Sequence, residues 1–412
     1  MTSKLNIIPR ILSKILIEIQ DQLTNVFDLV KYIIVKDQSL KIDTTKKYIL
    51  IAGKSPNYRV IKYANLISSN SNFLVYLCCN DFNLLKQAKI AENVNLVRYN
   101  SLPHLKSLTK NCNANITIAF SSRTKDVSNI IKHSSGFKLL DIYDCWTNCF
   151  GENPPIFWLK NEVKYEKYNL EHADGIIARN LESKDLSKRY SYKFPSKNIL
   201  FLDYCDESNF KKPSKTKFDN TKEIHLVYSG GIFGPSALKA SWGIIDFEVL
   251  IKSLGHSKLH VNLYPFPNEP IQYYSELLDM EKTNPRLNIY PSVPNFKLAN
   301  EIGKYHFGIL PNFKVIDYPI LDFKLDMCTS NKFFNYLEAG IPIIISNELK
   351  FMAWIVQRYQ IGIVVKRDDL NNLRNIISEY DYEQMVENIL NVREKLSFQY
   401  NNKRLLNFLN SI

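Results

Sequence analysis

From residue 47 the chain falls into a regular rhythm in which short apolar, β-branched runs alternate with longer stretches of helical period. Tyr48-Ile49-Leu50-Ile51-Ala52 reads as a buried strand closed by Gly53. A helical pattern over 60–67 follows, then a strand over 73–77, with further strands expected at 95–99, 115–120, 138–143 and 175–178. Continuously apolar strands separated by amphipathic helices are the pattern of a parallel sheet covered on both faces. A polar, lysine-rich stretch, 206–222, interrupts the rhythm and reads as a linker. The pattern then restarts, with strands expected at 224–228, 260–264, 287–290, 307–310, 341–345 and 361–365, and one long charged helix over 382–409. The architecture implied is α/β, with two Rossmann-like parallel-sheet domains at 47–205 and 223–380 and a C-terminal helical segment at 381–412.

The first 46 residues differ. Ile8, Ile11, Leu12, Ile15 and Leu16 share one helical face, but Arg10, Lys14 and Glu18 interrupt the apolar run and exclude a membrane-spanning helix. This stretch and a second one over 26–35 either pack on the first domain or rest on a membrane surface. A composition of 45% apolar and 23% charged residues is that of a globular protein, and the net charge of +12 attracts anionic partners. The basic residues are scattered, without the aromatic–basic motifs of a nucleic-acid binder, so phosphorylated small molecules or a lipid surface fit better. Seven irregularly spaced cysteines suggest free thiols in a reducing cytoplasm, and no metal-ligand spacing stands out. His104, His133 and His172 read as structural.

In an open parallel sheet, ligands bind at the carboxyl ends of the strands. The first such turn, Gly53-Lys54-Ser55-Pro56-Asn57, has neither the three glycines of a dinucleotide loop nor a Walker A pattern. In the second half, Ser229-Gly230-Gly231 ends a strand, and its backbone N–H groups can hold a phosphate or simply turn the chain. Lys239 lies shortly after it and can add a positive charge. A third element runs from Ser330 to Ile345: Ser330 or Asn331 caps a helix, Gly340 ends it, and Pro342 opens a buried strand. Ser330, Lys332 and Asn335 can face a cleft. Lys332 in the first turn opposes the helix dipole, which an anionic ligand there would explain.

The 330–345 stretch resembles the donor-binding signature of family-4-type retaining glycosyltransferases of the GT-B fold. Other parts are similar to that family in the same order: Ser229-Gly230-Gly231 in the place of its phosphate loop, His172–Asn180 near the end of its first domain, and Lys304–Pro311 in its second. The resemblance implies a donor site formed by Gly230, Gly231, Lys239, Ser330, Asn331, Lys332 and Asn335, with Glu338, one turn after Asn335, either taking over the ribose contact or standing as an exposed helix glutamate. Three positions depart from the family pattern. Asn335 stands where a carboxylate grips the donor ribose, Met327 where an earlier glutamate falls, and Gly231 where the phosphate loop carries an arginine. Asp141-Ile142-Tyr143-Asp144 is similar to the family's acceptor-side element, with Asp144 as either a general base for an acceptor hydroxyl or a cap for the following helix.

The expected activity is therefore sugar transfer from a nucleoside-diphosphate sugar to an acceptor hydroxyl, with no bound metal and no cofactor beyond the donor. The positive charge and the amphipathic amino-terminal stretch point to a sugar or lipid-linked acceptor and a cytoplasmic enzyme, peripheral on the inner face of the membrane, in polysaccharide or glycoconjugate assembly. Two other readings stand beside it: a non-catalytic GT-B subunit partnering an active transferase, and a sugar-nucleotide epimerase.

Overall fold

The computed structural model describes residues 46–412 apart from 82–84, 86–87, 121–123, 155–156, 212–222, 242–244, 268 and 315–320. The amphipathic stretches expected before residue 46 and most of the expected linker lie outside the described residues. Two parallel sheets organise the rest. The first contains β1 (Tyr48–Gly53), β2 (Leu74–Cys79), β3 (Val94–Arg98), β4 (Ile116–Phe120), β5 (Phe137–Ile142), β6 (Gly175–Ala178) and β7 (Lys197–Leu200), in the order β3-β2-β1-β4-β5-β6-β7. The second contains β8 (His225–Gly230), β9 (His260–Pro265), β10 (Leu287–Ile289), β11 (Phe307–Leu310), β12 (Ile343–Ser346) and β13 (Gly362–Val365), in the order β10-β9-β8-β11-β12-β13.

Both orders reverse direction beside the first strand of the domain, between β1 and β4 and between β8 and β11. Helices leaving the two strands there go to opposite faces, and a crevice opens at the strands' carboxyl ends. The central strands are apolar along their whole length because both faces are covered; every residue of β1, β4, β11 and β12 is buried. The edge strand β7, Lys-Asn-Ile-Leu, is half exposed and lacks that signal, so the hydrophobic pattern did not reveal it.

The long helix expected at 382–409 is two helices, Tyr382–Lys395 and Phe398–Asn410. Ser397 breaks the run: its hydroxyl accepts from the Tyr400 amide at 3.0 Å and caps the second helix. The break turns the chain back onto the first domain. Phe398 is buried there against Phe201 and Tyr204, with ring centroids 5.5 and 5.9 Å away, and Tyr204 in turn meets Phe334 of the second domain. Arg404 donates to the Leu200 carbonyl and to the Tyr204 hydroxyl. One apolar cluster thus runs from Ile49 and Ile51 through Phe201, Tyr204 and Phe398 to Phe334 and Ile343. Burying a side chain of this size contributes roughly 1.5–3 kcal/mol, so the last helix belongs energetically to both domains.

Candidate active site

A cavity of about 330 Å³ lies between the domains, where the carboxyl ends of both sheets face each other. From the first domain it is lined by Tyr143 and Asp144 after β5 and by Arg179 after β6. From the second come Ser229, Gly230 and Gly231 at the end of β8, Phe266 and Pro267 after β9, and the first turn of the helix Asn331–Ala339.

The phosphate-sized end of the cavity is built by local sequence. Ser330 caps the helix by accepting from the Lys332 amide, and Gly340 closes it in the left-handed conformation, φ 72°. The Phe333 amide donates to the Ser330 carbonyl at 3.1 Å, so the helix starts as a closed turn beside the cavity. Opposite it, Gly230 has φ 149°, and a Cβ there would lie 2.1 Å from Lys332 Cε. Only glycine lets the β8 turn and Lys332 come this close. Lys332 is half-buried, its ammonium 5.2 Å from the Tyr228 ring centroid, and among the described residues no carboxylate lies within ion-pair distance of it. Burial, with the Arg179 charge nearby, lowers its pKa from the ordinary lysine range to about 8.

Across the cavity the cations are paired. Arg179 lies 3.8 Å over the Tyr143 ring and bonds Asp203 at 2.8 Å, and it donates to the Thr329 carbonyl at 2.7 Å. Behind it, fully buried Arg59 bonds Asp141 and the Phe201 carbonyl and its Nε lies 3.5 Å from Asp203, so a buried charge network underlies the first domain's cleft wall. Lys324, from the segment between β11 and the capped helix, reaches across the cleft to Asp144 at 2.7 Å and to both oxygens of Glu182 at 2.9 Å. Burial alone would raise the Asp144 carboxyl; Lys324 and Arg179 outweigh it and hold the pKa below the usual carboxylate value. Asp144 still keeps about half its side chain open, 48% exposed, on the cavity side.

Gly230, Gly231, Ser330, Asn331, Lys332, Asn335 and Asp144 all lie along this cavity. Asn331 also bonds the Tyr143 hydroxyl across the domains at 3.3 Å. Asn335 lies one turn into the helix, and among the described residues its amide makes no hydrogen bond. Lys239 falls in the helix Pro235–Ser241, but its side chain lies outside the described residues. Glu338 requires a correction, because it does not face the cavity. It is 1% exposed, and its carboxylate is saturated by Lys62 Nζ at 2.8 Å, the Asp206 amide at 2.7 Å and Asn209 at 3.2 Å. At i+3 from Asn335 it turns to the side that carries the interdomain crossing. The capping alternative for Asp144 also fails: the helix Trp146–Phe150 starts at Cys145 without a side-chain cap, and Glu166 accepts from its first two amides.

Arg179 and Lys324 were not singled out from the sequence. Arg179 carried a usable signal, since it directly follows a buried strand at the ligand-binding end of a parallel sheet. Lys324 carried none: its partners Asp144 and Glu182 are 180 and 142 residues away. Met327 is off the cavity, and Lys324, one turn earlier on the helix Asp322–Met327, enters it instead.

Comparison with other proteins bears on this geometry. Sucrose-phosphate synthase from Thermosynechococcus elongatus superposes with a TM-score of 0.62 at 13% identity, over 89% of this chain and 98% of that one. HepE of Anabaena, solved in complex with UDP, superposes at 0.62 and 11%, over 89% and 100%. The lipopolysaccharide outer core galactosyltransferase WaaB superposes at 0.52 and 12%, over 89% and 99%. The fold is GT-B. Residues 253–408 match the model of the C-terminal domain of glucosyltransferase 3-like proteins. No curated protein matches the chain in sequence.

Proposed function

We propose that this GT-B protein is a glycosyltransferase that binds a nucleoside-diphosphate sugar in the interdomain cavity and transfers the sugar to an acceptor hydroxyl presented by the first domain. The observation that carries the reading is Lys332. A half-buried ammonium without a carboxylate partner among the described residues, packed on the Gly230 turn at a capped helix N-terminus, is complementary to a diphosphate. The HepE complexes with UDP and with UDP-glucose and the glucosyltransferase 3-like match support a uridine nucleotide and a hexosyl donor.

The chemistry follows from charge. As the bond between the anomeric carbon and the diphosphate breaks, negative charge develops on the leaving oxygen. Lys332, the positive end of the helix that starts at Asn331 and the Gly230–Gly231 turn receive that charge, in place of a divalent ion. Asn335 bonds a ribose hydroxyl, and Val293 and Leu298 supply apolar surface for the base. Asp144 has its pKa lowered by Lys324, which makes it a poor proton acceptor but a good hydrogen-bond acceptor; it orients the acceptor hydroxyl, whose proton passes to the departing diphosphate oxygen as the new glycosidic bond forms. Among the described residues no helix is long and apolar enough to cross a membrane. The net charge of +12 supports a lipid-linked or membrane-proximal acceptor, as in surface polysaccharide assembly at the inner face of the membrane.

Thermal unfolding with and without UDP, GDP and ADP tests the reading. One diphosphate should raise the midpoint by several degrees in the wild type, and the rise should vanish in Lys332→Met. A wild type indifferent to all three at millimolar concentration would sink the proposal and favour a non-catalytic subunit.

A further inference from the structure

Three of the chain's seven histidines stand side by side at the amino ends of the second sheet, the end opposite the cavity. His225 opens β8 and His260 opens β9, and the two are register partners on adjacent parallel strands. Their rings stack with centroids 4.4 Å apart. His306, just before β11, stacks on the other side of His225 at 5.9 Å, and its Nδ1 accepts from the His225 amide at 2.9 Å. Glu223 arrives from the chain just before β8 and covers the pair. Its Oε1 lies 3.4 Å from His260 Nε2, and its Oε2 lies 3.7 Å from His225 Nε2.

We propose that Glu223, His225 and His260 form a binding site for a divalent transition-metal ion, with zinc as the occupant. The three donor atoms all lie within 4.8 Å of one another. Zinc bonds imidazole nitrogen and carboxylate oxygen at about 2.0–2.2 Å, which puts neighbouring ligand atoms of a tetrahedron roughly 3.3–3.5 Å apart. The two glutamate–histidine separations are already near that spacing. A set of two imidazoles and one carboxylate selects zinc, nickel or copper over magnesium or calcium. The imidazoles are fixed by the sheet and largely covered, 31% and 13% exposed, whereas the Glu223 side chain is 72% exposed and swings at little cost. The solvent side leaves room for water as a fourth ligand.

The site is remote from the proposed chemistry, so the metal acts on structure. Glu223 is the first described residue after 212–222, where the chain enters the second domain. A metal held between Glu223 and the β8–β9 pair fastens that entry point to the sheet.

Cobalt(II) and zinc(II) report the site without any nucleotide. The full-length chain, with any affinity tag removed, would be titrated with Co²⁺ in the visible range and with Zn²⁺ by calorimetry. One equivalent should bind with the ligand-field absorption of a low-coordinate cobalt site, and Zn²⁺ should raise the unfolding midpoint. Glu223→Gln and His260→Gln should each weaken uptake by roughly tenfold or more while leaving the nucleotide-induced thermal shift in place. No uptake by the wild type at a tenfold excess of Zn²⁺ would overturn the proposal. So would undiminished uptake by both variants, which would place the metal on other residues.

Discussion

Lys332 links stability and ligand binding in opposite directions. Its folded-state pKa, about 8, is below the ordinary 10.5, so the unfolded chain binds more protons between those values. Below pH 8 the folded protein carries the full cost of the half-buried charge; between pH 8 and 10.5 that cost is relieved and stability rises. Lys332→Met should therefore raise the unfolding midpoint of the free protein at pH 7 by a few degrees while removing the response to nucleotide. Nucleotide affinity in the wild type should be constant below pH 8 and fall above it, because the ammonium that the diphosphate needs is lost. Calorimetry at pH 7 and pH 9 checks this, and equal affinities would exclude Lys332 from the anion site. At Gly230, replacement by alanine combines a disfavoured φ of 149° with a contact on Lys332 Cε, so nucleotide affinity should drop by at least about tenfold. Asp144→Asn keeps the shape and removes the charge. If Asp144 orients the acceptor, turnover should fall with little change in nucleotide affinity and no new pKa in the rate profile near neutrality.

The segments around the cavity owe their positions to partners on other elements. The Lys324 ammonium holds Asp144 and Glu182 together, and Glu182 also accepts from the Cys145 amide, so the loop after β5 is fastened through the helix Asp322–Met327. Lys324→Met would leave two carboxylates facing each other, one of them buried, at a cost of about 3 kcal/mol, measurable by denaturant unfolding. A change below 1 kcal/mol would show that the triad is not closed in solution. At this scale the sequence was readable wherever the evidence was local. The Ser330 cap, the Gly340 terminator and the strand from Ile343 appear as the residue types require. The break at Ser397 did not stand out, because Ser is tolerated within a helix and Lys395, Leu396 and Phe398 continue the periodic pattern. What stops the helix is an isolated bridge between Ser397 and Cys205 from the other domain.

For the whole molecule, the two domains are joined by a buried polar knot beside the shared aromatic core. Glu338 accepts from Lys62 of the first domain and from Asp206 and Asn209 of the crossing segment, while Arg393 donates to the Lys211 carbonyl. Burial opposes the Lys62 charge, and Glu338 more than compensates, raising its pKa. Glu338→Ala should destabilise the protein by about 3–5 kcal/mol without touching the cavity. Loss of nucleotide binding in a fully folded Glu338→Ala protein would return this residue to the donor site. Its assignment marks the limit of one-dimensional reading. Helical spacing places Glu338 one turn from Asn335, where the two side chains diverge by only about 60° around the axis, and only the neighbouring elements decide which of those directions meets a ligand. The sequence alone determined two parallel sheets, the positions of their strands except the half-exposed edge strand β7, and the turns at the carboxyl ends, because hydrophobic period and turn chemistry act over a few residues. Tertiary structure decided which charges meet: Lys324 with Asp144, Arg179 with Asp203, Glu338 with Lys62, and Glu223 with two histidines. Those pairings join residues far apart in the chain, and their energies depend on burial and distance that no local pattern encodes.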